Sequence, residues 1–138
     1  MKKHLSTMLL TAVGMTLSAA AAYAQTDLNA NVPFEFRTTN TSLSAGKYAI
    51  TTGTRGNAEV IQIRDLSSRH TIFVLANQQV KVAPGNPRMV FRCGEASGCV
   101  LIEAYTGSGN GWVMSPPRGT HGEKERVAVV LLRRADAD

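Results

Sequence analysis

The chain has 138 residues and a formal charge of +5, with 43% hydrophobic and 18% charged residues. That is too apolar for a disordered chain and too short for two sizeable domains. Two cysteines do not make a disulfide-rich scaffold, and a small basic excess favours solubility. Nucleic-acid binding would need arginine and lysine gathered on one face among aromatic residues, and no nucleic-acid partner is expected of an exported chain.

Residues 1–24 carry the three parts of a secretory signal: Lys2 and Lys3 as the positive start, an apolar stretch from Met8 to Ala22, and the small-x-small site Ala22-Tyr23-Ala24. The apolar stretch is interrupted by Thr11, Gly14, Thr16 and Ser18 and is short for a membrane span. The expectation is cleavage before Gln25, with no membrane span afterwards and a periplasmic or secreted product. Cleavage leaves 114 residues at a charge of +3, since 24 residues and the two lysines are lost from 138 and +5. A chain of that size buries roughly 60–70% of its unfolded surface and holds one core without many disulfides.

Residues 31–38 (NVPFEFRT) place Val32, Phe34 and Phe36 on one side and Glu35 and Arg37 on the other, the period of a half-buried strand. Pro33 has no amide hydrogen and predicts a sheet edge or a strand start. A turn ending in Ala45-Gly46 leads to residues 47–52, with Tyr48 and Ile50 inward, and the two segments read as a first hairpin. Residues 58–66 bring Ile61 and Ile63 to one face. Residues 70–76 (HTIFVLA) are apolar on both faces and predict a central strand. Residues 77–83 alternate again through Val80 and Val82, as a bulged extension or another strand. Pro84-Gly85-Asn86-Pro87 then breaks the pattern.

Residues 88–106 (RMVFRCGEASGCVLIEAYT) hold both cysteines between two strand-like runs and predict a β-hairpin clasped near its tip. In an exported chain Cys93 and Cys99 are expected to be oxidised, closing a short loop worth about 2 kcal/mol. The rival use, a metal site with His70 and His121, lacks the paired spacing of structural zinc ligands, and no metal or other cofactor is expected. Residues 107–124 form the longest stretch without periodicity and contain Trp112. Residues 126–133 (RVAVVLLR) read as a last strand buried on both faces. No helical stripe follows residue 24. The expected fold is a single all-β domain over residues 25–138, an antiparallel β-sandwich or barrel of about seven to eight strands.

With these residues in view, the chain resembles a group of small exported proteins of soil bacteria such as acidobacteria. Their VPFxF strand corresponds to Val32-Pro33-Phe34-Glu35-Phe36, and their LPAGxY turn and strand to Leu43-Ser44-Ala45-Gly46-Lys47-Tyr48, with Ser44 in place of proline. A later RLVF or RMVF strand corresponds to Arg88-Met89-Val90-Phe91. The resemblance implies an exported strand-and-turn fold and adds no catalytic residue.

Chemistry is thin. There is no GxSxG elbow, and Ser115, His121 and Glu123 make a triad only by sequence proximity, whereas working triads are assembled from distant segments. The carboxylates Glu35, Glu59, Asp65, Glu95, Glu103, Glu123 and Glu125 lie mostly on outward strand positions or in turns, which suits no glycosidase pair. The leading expectation is a non-enzymatic binding or envelope-associated domain whose partner is an envelope protein or a polysaccharide. Trp112 either caps the core, to which it offers a large apolar area, or joins Tyr105 as a ligand-binding platform in a carbohydrate-binding module. A small hydrolase using His121 is the remaining alternative.

Overall fold

The computed structural model describes residues 27–114 and 123–135. The signal over 1–24, Ser115 and His121 lie outside the described residues. Every described element is a strand, so the described residues are all-β, and no helix among them is long and apolar enough to cross a membrane.

β1 (Leu28–Val32) pairs with β4 (Gly46–Arg55), with Leu28 opposite Ile50 and Val32 opposite Gly46. β5 (Ala58–Asp65) and β6 (Thr71–Leu75) continue the meander from β4. β8 (Arg88–Gly94) and β9 (Gly98–Tyr105) form the expected hairpin, with Cys93 directly opposite Cys99 and the two joined as a disulfide. β11 (Glu125–Arg134) connects the two groups: residues 125–131 pair with β8, and residues 132–134 pair with β1. The far edge of β9 is likewise divided. Its Cys99 and Val100 take β2 (Phe36–Arg37), and its Glu103 to Tyr105 take β10 (Asn110–Val113), which also pairs with β7 (Gln78–Lys81). β3 (Ser42–Leu43) flanks β2.

The sheet order is β3-β2-β9-β8-β11-β1-β4-β5-β6, with β10 and β7 branching from β9. This corrects four expectations. The described residues form eleven strands, because pieces as short as β2 and β3 are too brief to show a period. The sheet is mixed, since β2 runs parallel to β9. It is not closed into a barrel: the chain passes from β6 to β7 through Ala76 and Asn77, and no ladder joins those strands. Pro33 marks neither an edge nor a start. It follows the end of β1, an interior strand, at the point where the chain leaves for β2.

Two further expectations are reversed. β6, read as central, ends the sheet path, and its Phe73 and Leu75 are 47% and 60% exposed. The irregular stretch after residue 106 contains β10, which its glycines concealed.

The alternation of Val32, Phe34 and Phe36 persists across the break after β1, and all three pack on one core. Phe36 meets Phe91 with ring centroids 5.2 Å apart and Tyr48 at 5.4 Å, both edge-on, and Phe34 meets Phe91 at 5.1 Å. β2 and β4 have β9, β8, β11 and β1 between them in the sheet, so the Phe36–Tyr48 contact exists only because the sheet folds back over itself. Phe91 is fully buried at that point. Phe91→Ala is expected to destabilise the domain by roughly 3–5 kcal/mol in urea unfolding, the range for deleting a buried aromatic ring. An unchanged midpoint would mean that this cluster does not hold the two faces together.

Candidate functional site

Residues directly opposite one another in a ladder share a face, so the registers give the surface of the β11-β8-β9-β10 region. One row runs Val130, Met89, Ala104 and Trp112, all buried, and marks the inner face. The neighbouring rows face outward: Leu131, Arg88, Tyr105 and Gly111 in one, Val129, Val90, Glu103 and Val113 in the next. The change of phase along β9 comes from a register shift after Val90, which leaves Ile102 as an extra residue and turns Glu103 and Tyr105 outward.

Trp112 and Tyr105 are therefore on opposite faces and do not form a shared platform. Trp112 is 5% exposed and belongs to the core cluster, and its indole N–H donates to Glu59 Oε2 at 3.3 Å, tying β10 to β5. Tyr105 is half-buried on the outer face. Arg88 lies over its ring at 4.3 Å, and its hydroxyl donates to Glu103 Oε2 at 2.5 Å. The hydrogen bond to Glu103, then burial and the Glu103 charge, push the phenol pKa up against the opposing pull of Arg88, so Tyr105 stays a donor. A Cβ at Gly111 would lie 2.5 Å from the ring, so the tyrosine occupies space that only glycine leaves there. These contacts fix Tyr105 as part of the surface.

The outer face of β11 was not foreseen. Val127, Val129 and Leu131 are 67%, 54% and 59% exposed, although the run RVAVVLLR reads as buried on both sides. They make an apolar stripe on alternate residues of one strand. The sequence signal was the run itself, whose second apolar face has no covering layer among the described residues.

The hairpin tip has different chemistry. With Gly94 opposite Gly98, the connection is the three residues Glu95, Ala96 and Ser97, and Gly98 at φ 71° supplies the left-handed position such a loop requires. The Glu123 carboxylate sits over this tip and accepts from the Ala96 amide, from the Ser97 amide at 2.9 Å and from the Ser97 hydroxyl at 2.9 Å. A Cβ at Gly94 would overlap that carboxylate and Ser97 Oγ, so the glycine makes room for the clamp. Arg37 donates to the Ser97 carbonyl from the other side at 2.7 Å.

Glu123 is thus engaged with a loop. Its paper triad cannot be drawn further, because Ser115 and His121 lie outside the described residues. The two cysteines hold each other and His70 is exposed, so those three residues do not form the metal set considered above. Other carboxylates also have partners: Glu125 pairs with Arg92 at 3.7 Å, and Asp65 accepts the Ser67 amide at 2.7 Å.

The Ser97 amide, with the Ser97 hydroxyl and the Ala96 amide, holds the Glu123 carboxyl below its ordinary value of 4.5. A folded-state pKa below the unfolded one stabilises the fold above the unfolded value, and that contribution is lost as pH falls through the folded one. Glu123→Gln is therefore expected to lower the urea midpoint at neutral pH, with the gap to the wild type closing on acidification below 4.5. A gap independent of pH would show that the carboxylate charge is not what clamps the tip.

No protein-family model, no curated protein and no solved structure matches the chain.

Proposed function

We propose that the chain is an exported, non-enzymatic β domain that binds a partner at the cell envelope, with the outer face of β11 as its contact surface. The observation that carries this reading is the stripe of Val127, Val129 and Leu131, more than half exposed on a strand whose inner face is core. Soluble domains rarely leave contiguous apolar surface uncovered, and where they do it commonly marks an interaction site. Export is supported by the signal-like N-terminus and agrees with the Cys93–Cys99 disulfide, which persists in oxidising compartments such as the periplasm. We read the folded-over sheet as a sandwich of two layers, supported by the Phe36–Tyr48 contact between strands far apart in the ladder. A protein partner suits the site better than a polysaccharide: Trp112 offers no exposed ring, and Tyr105 is already covered by Arg88.

A photo-crosslinking residue at position 129, compared with one at Gln62 on the outer face of β5, tests this reading in envelope fractions. Adducts at 129 in several-fold excess over 62 are expected. Equal yields would remove β11 as the contact surface.

A further inference from the structure

The sheet forks at Leu132, where β11 leaves β8 for β1 and the Leu132 amide donates to Pro87 O at 2.9 Å. On the inner side of that fork, at the end where β1 and β8 begin, lies a cavity of about 370 Å³, within the roughly 300–1,000 Å³ of small-molecule sites. Alternation places its walls. On one half of the folded-over sheet Arg134 lies opposite Leu28 and Leu28 opposite Ile50, and both apolar residues are buried, so Arg134 has the inward phase. Thr52, two residues beyond Ile50 and opposite the buried Ile61, shares that phase. On the other half Met89 and Ala104 are inward, so Pro87 and Thr106, two residues from each, have the same phase just past the ladder. Inward positions at this end therefore change from apolar to polar: Leu28 and Ile50 give way to Arg134, Thr52 and Thr106, all three of which line the cavity. At the other end of β1, the inward Val32 is fully buried.

The cavity is built into the fold. Gly107, at φ 85°, packs so closely on Gly85 O that a Cβ there would lie 2.7 Å from it, and the Val82 amide donates to Gly109 O at 2.9 Å, so the two loops behind Pro87 and Thr106 are tied together. Among the described residues the one charge in its walls is the Arg134 guanidinium, which has no ion-pair partner, and no carboxylate lines it. The Thr106 and Ser108 hydroxyls share a hydrogen bond at 2.9 Å, which uses one of their two protons and leaves the other to donate. The Thr52 hydroxyl has no hydrogen-bond partner among the described residues. A forked cationic donor and two hydroxyl donors thus surround a space with no anion of its own. We infer that this cavity binds a small ligand with an oxyanion head on a hydroxylated body, a sugar acid or sugar phosphate. The guanidinium takes two oxygens of the head side by side, and the hydroxyls bond the body. The site is on the inner side of β11 and does not depend on the outer stripe being a contact surface.

Calorimetric titration and amide NMR of the purified protein with glucuronate, glucose 6-phosphate, glucose and inorganic phosphate test this. At least one of the two sugar anions is expected to bind at least about tenfold more tightly than glucose or inorganic phosphate, and to shift the Gly107 and Ser108 amide signals. The tighter of the two identifies the head group. Arg134→Gln, at an exposed residue, should weaken that binding by about tenfold or more, because it removes the charged fork. Arg133→Gln removes the same charge from the opposite face and should leave binding within about twofold. Thr52→Val keeps the shape, removes a hydroxyl and should weaken the same anion severalfold. No binding of either sugar anion at millimolar concentration, equal binding of glucose, or equal losses from Arg133→Gln and Arg134→Gln overturns the inference. So does inorganic phosphate bound as tightly as either sugar anion, which would reduce the site to an ion contact. None of these outcomes bears on crosslinking at position 129, which tests the outer contact surface by itself.

Discussion

At Leu132 the last strand, β11, changes partner. Residues 125–131 follow β8 as far as Arg88, and there β8 ends against the Pro84–Pro87 breaker. The Leu132 amide closes the last bond to Pro87, and the remaining residues turn their opposite edge to β1. One strand thereby belongs to two neighbours in succession, and it is through that exchange that β1, β4, β5 and β6 join the ladder of the remaining strands. Folding the sheet over brings Phe36, Tyr48 and Phe91 together, and it also parts β1 from β11 beyond Ala30, so the core and the fork have one geometric cause.

Phase is controlled by similarly local devices. The extra residue at Ile102 shifts β9 so that Leu101 and Ala104 are both buried, while Glu103 and Tyr105 face outward. Without that shift the apolar run would continue its alternation and present a carboxylate to the core, at the cost of burying a charge. Arg88 over Tyr105, and Tyr105 on Glu103, then cover the outer side of β8 and β9 well enough that Val90 is buried. Among the described residues, nothing gives such cover to Val127, Val129 and Leu131 on β11.

The hairpin tip shows how a small domain secures a loop at the margin of its core. The disulfide joins the strand ends, the Glu123 carboxylate binds the loop amides, and Arg37 holds the Ser97 carbonyl. Glu123 stands two residues before β11, so the clamp also sets where the last strand enters the sheet beside β8. A residue that resembles a catalytic candidate in the sequence is thereby occupied by three hydrogen-bond donors.

Local periodicity was enough to read the β class, the 88–106 hairpin with its paired cysteines, and the inward positions of Tyr48, Ile50, Ile61 and Ile63. Each of those depends on neighbours within a few residues, where a period of two directly reports the face. Strand order lay beyond that reach, because alternation says which side a residue occupies and nothing about which strand lies beside it. The edge position of β6, the division of β11 between β8 and β1, and the parallel pairing of β2 with β9 arise from segments far apart in the chain, such as Leu28 and Arg134. The same limit hid the fork: RVAVVLLR carries enough apolar surface for two buried faces, and only the tertiary arrangement decided that one of them would face outward.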